Sequence, residues 1–427
     1  MTVTISPGPV QGTLAAVPSK SAAHRLLIAA ALADRPTRVV FRTRSQDIEA
    51  TLRCLAGLGA GIEAHSDGVT VTPIPRSRPV GKRILDCGES GSTLRFLVPV
   101  AGALGADASF LLAGRLARRP MEPLASELAR HGCSLDLDPE AGILTVSGQL
   151  TPGDYALPGN VSSQFFTGLL LALPLLERES TLAVLGDLES AGYLDLTLDA
   201  LHRFSLTPAP LTGSGWRVLP QDYVSPGQVS VEGDWSNAAP WLCMGVLGGS
   251  GVTVTDLDND SLQGDRAVCR VLARLGGQIT QYGDRVTARP GVPESTSVDA
   301  RNIPDLVPVL AAVAAVSPGT VRFTGASRLR LKESDRLATT AGTLNALGAK
   351  AAQTEDGLVI TGVPRLQGGT VDAAGDHRIA MAAAVAAVAC QGPVTVTGAE
   401  AVEKSYPSFW EDLHRMGKTV ETNAQAL

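Results

Sequence analysis

A self-similarity with a period of about 71 residues constrains this chain more than any other feature. Six segments share one pattern: the tail of an amphipathic helix, a turn residue, a short strand, a turn and another strand. The turn residue falls at Gly59, Gly132, Ser205, Gly276, Gly348 and Gly417, at spacings of 73, 73, 71, 72 and 69. Glycine directly after a helix suits the left-handed C′ position, and Ser205 takes that place in the third copy. Upstream of each segment lies a second, Ala-rich helix followed by a Gly/Pro break and a strand, as in residues 300–325 and 375–398. Each repeat therefore reads βαβαββ. Solenoid repeats of about 20–50 residues are too short for this period, and so are the units of about 30 residues in an eight-unit barrel. Two compact α/β domains of three repeats each fit the size rule.

Composition agrees with that class. Hydrophobic residues make up 44% of the 427, mostly Ala, Leu and Val, and aromatics only 4%, which suits close-packed helices on β-branched strands. The sixth hairpin is cut short at residues 418–427, while the chain opens with an orphan strand, MTVTISPG. If that strand completes the last repeat, one domain is discontinuous, residues 1–18 plus 231–427, and residues 19–230 form the other. The chain then crosses between domains near 13–19 and 226–232.

Several function classes fall away. A net charge of −6 argues against a protein built to coat nucleic acid or an anionic membrane. No apolar run reaches 18 residues and the first twenty lack a signal-peptide pattern, so a soluble, cytoplasmic protein is expected. The six cysteines are never closer than 26 positions and form no CxxC, which reads as small buried hydrophobes rather than disulfides or zinc ligands. No HExxH, GxGxxG or GxxxxGK[ST] motif is present, and neither metal nor organic cofactor is expected.

Laying the repeats over one another brings the unusual polar motifs to the strand-to-helix junctions. They read SKSAAHR (19–25), ESGSTLR (89–95), VSSQFF (161–166), NIPDLVP (302–308) and GDHRIAM (375–381) before the first helices. Before the second come GRLARRPM (114–121), LESAGYLD (188–195), LKESDR (331–336) and EKSYPSF (403–409). Helix N-termini attract anions through free N–H groups and the positive dipole end. Ser21, Ser92, Ser163 and Asp305 have an ordinary reading there as N-caps. The cations Lys20, Arg25, Arg95, Arg119, Lys332, Arg336, Arg378 and Lys404 oppose the dipole by about 0.3–1 kcal/mol each, and a shared anion would reconcile them. Three of only six lysines lie in these motifs. Both halves contribute, so a small-anion site in a cleft between the domains is expected.

In this order and spacing, SKSAAHR, ESGSTLR, RRPM, VSSQF, SAGY, IPD, LKESDR, GDHR and EKSYPSF resemble the 5-enolpyruvylshikimate-3-phosphate synthases, a family of enolpyruvyl transferases. The resemblance spans essentially the whole chain. It implies an inside-out α/β barrel in each of two domains, and transfer of the enolpyruvyl group of phosphoenolpyruvate to the 5-hydroxyl of shikimate 3-phosphate with release of phosphate. It implies that Lys20, Ser21, Arg25, Ser162, Ser163, Gln164, Ser190, Tyr193, Asp305 and Lys332 contact shikimate 3-phosphate. Lys20, Gly91, Arg95, Arg119, Gln164, Arg336, Arg378 and Lys404 would hold phosphoenolpyruvate. Asp305 is the implied base for the hydroxyl, and Glu333, with Lys20, the implied acid and then base at the methylene.

The chain departs from the family pattern at Glu89, Ser90, Ser92 and Phe96, beside the phosphoenolpyruvate region, which leaves glyphosate sensitivity open. Arg328 stands where many members carry an Asn. The sister transferase acting on UDP-N-acetylglucosamine would show a mobile-loop Cys and a Lys-Asn pair in place of Lys20-Ser21, and neither occurs. A non-catalytic anion-binding protein on the same fold would be expected to have lost Asp305, Glu333 or the cations. Closure of the repeats within one chain makes a monomer sufficient.

Overall fold

The computed structural model describes residues 1–75 and 82–423. Six four-stranded sheets account for all its strands, each built from one parallel and two antiparallel pairings. The repeat around residue 90 shows the plan. Strand Arg83–Gly88 leads into helix Gly91–Ala103, strand Ala108–Leu112 runs parallel to the first, and helix Leu124–Arg130 precedes the antiparallel hairpin Cys133–Asp138 and Ile143–Gly148.

Two compact units divide the chain, Lys20–Val231 and Met1–Ser19 with Glu232–Leu427, each with its own core. Thr2–Ile5 lies between Val394–Thr397 and Val420–Asn423, antiparallel to both. The leading strands of two repeats are displaced along the chain. Gly12–Ala15, which precedes helix Lys20–Ala31 in sequence, pairs in parallel with Val252–Thr255, while Gln228–Ser230, which precedes helix Trp235–Leu247, pairs with Thr37–Val40.

Small side chains explain why helices can occupy the interior of each unit. Ten of the twelve residues of Lys20–Ala31 are buried, and every residue of Val307–Ala314 and His377–Ala387. Sheets cover them from outside, the reverse of an ordinary barrel. Helices Gly91–Ala103 and Ser163–Ala172 pack so closely that a Cβ on Gly168 would stand 2.3 Å from the Arg95 carbonyl oxygen. All six cysteines are buried and none forms a disulfide, as their spacing led one to expect.

The repeat position after the helix is left-handed in all six copies. Its φ is +110° at Gly59, +84° at Gly132, +91° at Gly276, +93° at Gly348 and +96° at Gly417, and Ser205 adopts +66°. An L-residue pays about 1–2 kcal/mol there, whereas glycine gives back about 0.5–1 kcal/mol through the greater freedom of its unfolded chain. Ser205→Gly is therefore expected to stabilise its unit by about 0.5–1 kcal/mol, read as a rise in the urea midpoint at unchanged slope. An unchanged or lower midpoint would contradict this account.

Candidate active site

Most of the junction motifs do begin helices, but the expected N-caps are not the caps. Helix Lys20–Ala31 starts one residue before Ser21, and the caps of the helices that follow Ser90 and Ser162 are those two serines, accepting from Thr93 N–H and Gln164 N–H. Ser92 and Ser163 lie inside the first turn. Asp305 sits in the short 3-10 helix Pro304–Leu306, whose N-cap is Ile303, and the N-cap of the helix that follows is Leu306. Asp335 and Asp376 cap their helices instead. A capping residue must be extended with its side chain folded back over the turn, a geometry found two residues before Ser92 and one before Ser163.

In the Lys20–Val231 unit the motifs are stitched together by two buried arginines. Arg25 Nε donates to Thr197 Oγ1 at 2.8 Å, Nη1 to the Ser21 carbonyl at 2.6 Å, and Nη2 to Thr167 Oγ1 at 3.2 Å and the Tyr193 carbonyl at 2.8 Å. These acceptors are all neutral. Burial brings the guanidinium down to about 9, with Tyr193 opposing, an unusual value for an arginine. Arg95 donates to Gln164 Oε1 at 2.7 Å and to the Pro120 carbonyl at 3.0 Å, and Gln164 Nε2 reaches Ser92 Oγ at 2.9 Å.

The Arg119 guanidinium packs against Gly91, where a Cβ would stand 2.6 Å from Nη1 and would push the end of that side chain aside. Ser190 holds a left-handed φ of +58° at the start of helix Ala191–Arg203, the kind of backbone strain that often marks a working site. Lys20 pairs with Asp47 at 2.9 Å. Among the family departures, Phe96 is buried beneath Arg25, 5.0 Å from its guanidinium carbon.

In the other unit the centre is Arg336. Its Nη1 meets Asp305 at 2.7 Å, Nη2 meets Glu333 at 2.8 Å, and Nε meets Asp376 at 2.8 Å, with the arginine side chain 2% exposed. Lys332 approaches Asp305 at 3.5 Å. Burial opposes ionisation of Asp305, but Lys332, Arg336 and Arg378 outweigh it and hold the carboxyl well below the usual range. Burial likewise lowers Lys332, with Asp305 opposing. Arg378 Nη1 donates to the Ser236 carbonyl at 2.8 Å, and Lys404 Nζ to the Gly375 carbonyl at 2.7 Å. Arg328 donates to the Arg301 carbonyl at 2.9 Å.

The structure thus gathers Lys20, Ser21, Arg25, Tyr193 and their partners in one unit, with Arg95, Gln164, Arg119 and Gly91 linked beside the same helix starts. Asp305, Lys332, Glu333 and Arg336 form a single cluster in the other. Besides any shared anion, Asp47, Asp305, Glu333 and Asp376 already neutralise three of the cations, Lys20, Lys332 and Arg336. Asp376 stood inside the quoted motif GDHR, where an acid beside a basic residue was a usable signal, whereas Asp47 lies outside the motifs quoted above. Thr167 and Thr197 gave none, since a threonine within a helix is unremarkable in sequence.

The repeats and the two clusters of cations, one with two half-buried acids, define an enzyme handling small, multiply charged anions. The chain matches the EPSP synthase (3-phosphoshikimate 1-carboxyvinyltransferase) family over residues 5–413. It is 39% identical over 426 residues to the 3-phosphoshikimate 1-carboxyvinyltransferase of Clostridium kluyveri, covering 98% of each chain, and 38% identical over 422 residues to that of Clostridium acetobutylicum, again 98% of each. Among solved structures it resembles the EPSP synthase of Acinetobacter baumannii, with a TM-score of 0.81 and 26% identity over 99% of this chain and 100% of that one. The enolpyruvyl transferase NikO of Streptomyces tendae shares the fold at a TM-score of 0.75 and 18% identity, over 98% of each chain. The chain belongs to the EPSP synthase family.

Proposed function

We infer that the protein transfers the enolpyruvyl group of phosphoenolpyruvate to the 5-hydroxyl of shikimate 3-phosphate, releasing phosphate by addition and elimination. The observation that carries the reading is the sharing of Arg336 by Asp305 and Glu333 with Lys332 alongside. The reaction needs one group to take the hydroxyl proton and another to give a proton to the methylene carbon and then remove it. Two carboxylates on one guanidinium can fill those roles if an anionic substrate takes over part of the cationic charge. Phosphate and carboxylate oxygens drawing on Lys332, Arg336 and Arg378 would release Asp305 from the field that now depresses it, raising its basicity toward the range useful for proton transfer. Asp305 is then the base for the hydroxyl and Glu333, with Lys20, the proton carrier at the methylene.

The buried, neutral-partnered Arg25, with Ser21, Ser162, Ser163, Gln164, Ser190 and Tyr193, supplies the shikimate 3-phosphate contacts in this reading. Gly91, Arg95, Arg119, Arg336, Arg378 and Lys404 hold phosphoenolpyruvate. The glycine leaves the backbone N–H groups and Arg119 open to an anion at the helix start. Both sets act on the same pair of substrates and both lie on one chain, so a monomer is sufficient and no nucleic acid or membrane partner is invoked. No helix among the described residues is long and apolar enough to cross a membrane, and a biosynthetic role of this kind fits the cytoplasm.

Acceptor dependence tests the reading. Phosphate release from phosphoenolpyruvate is expected only when shikimate 3-phosphate is supplied. Release requiring UDP-N-acetylglucosamine instead, or none with either acceptor, would refute it.

A further inference from the structure

Asp265 plays no part in the acid–base reading, yet it borders that cluster. It belongs to the 3-10 helix Gly264–Ala267, is buried, and accepts a hydrogen bond on Oδ2 from the Ser236 hydroxyl. Its other oxygen, Oδ1, is buried without a hydrogen-bond partner among the described residues. Ser236 lies in the first turn of helix Trp235–Leu247, and its carbonyl is the acceptor for Arg378 Nη1 at 2.8 Å. Arg378 Nε is also buried and unpartnered among the described residues. One residue, Ser236, thus touches Asp265 through its hydroxyl and Arg378 through its backbone.

The surroundings hold this arrangement in place. The Gln263 side chain donates to the Gly233 carbonyl at 2.7 Å and accepts from the Trp235 N–H at 3.0 Å, tying the 3-10 helix to the start of the longer one. On the other side Gly264 lies against the Asn302 carbonyl, which a Cβ would approach to 2.9 Å. Such a supporting shell is what a precisely oriented guanidinium requires.

We propose that Asp265, acting through Ser236, is a positioning residue for Arg378 and thereby governs how that arginine meets phosphoenolpyruvate. The inference rests on the reading of Arg378 as a phosphoenolpyruvate ligand. The charged groups facing Asp265 are Asp305, Arg378 and Asp234. Burial raises the carboxyl to about 7 and Asp305 adds to the shift, while the Ser236 hydrogen bond and Arg378 oppose it. Below that value Asp265 is neutral and Arg378 keeps its attraction for an incoming anion. Above it the new carboxylate competes for the same guanidinium, so the KM for phosphoenolpyruvate rises with pH through about 7.

The KM for each substrate, and kcat, measured from pH 6 to 8.5 in the whole enzyme, tests this. Asp265→Asn keeps the shape and fixes the neutral form, so its KM for phosphoenolpyruvate is expected to stay near the low-pH wild-type value at every pH. Ionisation of the substrate phosphate is common to both enzymes and cancels in their ratio. Ser236→Ala loosens the link and, measured at pH 6 where Asp265 is neutral, is expected to raise the KM for phosphoenolpyruvate about fivefold, the size of one neutral hydrogen bond, with the KM for shikimate 3-phosphate little changed. An Asp265→Asn enzyme with the wild-type pH dependence, or equal rises in both KM values for Ser236→Ala, would overturn the proposal. Arg378→Ala serves as the control: if it leaves the KM for phosphoenolpyruvate unchanged, the underlying ligand reading fails instead. Should Ser236→Ala fold poorly, the isosteric Asn variant still decides.

Discussion

Asp305→Asn is expected to lower kcat about a thousandfold while changing the dissociation constant of shikimate 3-phosphate less than tenfold. General acid–base groups contribute about 10²–10⁴ in rate, and asparagine preserves the size and much of the hydrogen bonding of Asp305 while being unable to accept the hydroxyl proton. Glu333→Gln should behave alike, slowing turnover far more than it weakens binding of shikimate 3-phosphate. Stopped-flow turnover together with equilibrium binding separates the two effects. Equal losses in rate and affinity would make these carboxylates positioning groups rather than proton carriers. The depressed carboxyl carries a further consequence for the enzyme without substrate. Asp305 stays ionised to well below the usual carboxylate range, so loss of activity on mild acidification cannot begin with protonation of Asp305 in the free enzyme.

Arg336→Met has the largest expected effect on stability. Methionine fits the space of the arginine stem but abandons Asp305, Glu333 and the fully buried Asp376 at once. Removing one partner from a buried ionic cluster costs about 3–5 kcal/mol, because the remaining charges keep their desolvation penalty. For a unit of this size that corresponds to a fall in Tm of about 10 °C.

The sign of the pH effect follows from Asp305. Its folded-state pKa is depressed, so its contribution to stability is fully present above the unfolded carboxylate value of about 3.9 and is lost as pH falls through the folded value. In the variant the abandoned carboxylates are relieved by taking up protons, which acid favours. The gap between wild type and Arg336→Met should therefore narrow as pH is lowered toward 4, as monitored by thermal melts across pH. A gap that widens in acid would mean that the cluster is not held together by these charges.

Much of the architecture was legible because it is local. A helix tail, a left-handed turn and a hairpin recur because each needs only neighbouring residues to satisfy its dihedrals and hydrophobic pattern, and Ser205 revealed its place by spacing despite not being glycine. The site was legible as a set of cations at helix starts, since those residues oppose the local dipole. Their partners were not. That Arg25 meets only neutral oxygens while Arg336 meets three carboxylates depends on residues up to 172 positions away. The serine caps were misassigned by two residues at Ser92 and by one at Ser163, because neighbouring serines are equivalent in sequence and differ only in backbone angle.

By itself the sequence determined the repeat, its βαβαββ order, the α/β class and the family motifs, all written in periodicity and short-range spacing. Tertiary structure alone decided that Gly12–Ala15 joins the sheet of Val252–Thr255 and Gln228–Ser230 that of Thr37–Val40, and that Ser236 links Asp265 to Arg378. Parallel strand partners and buried charge networks are chosen by the packing of segments far apart along the chain, where no local pattern records which donor finds which acceptor.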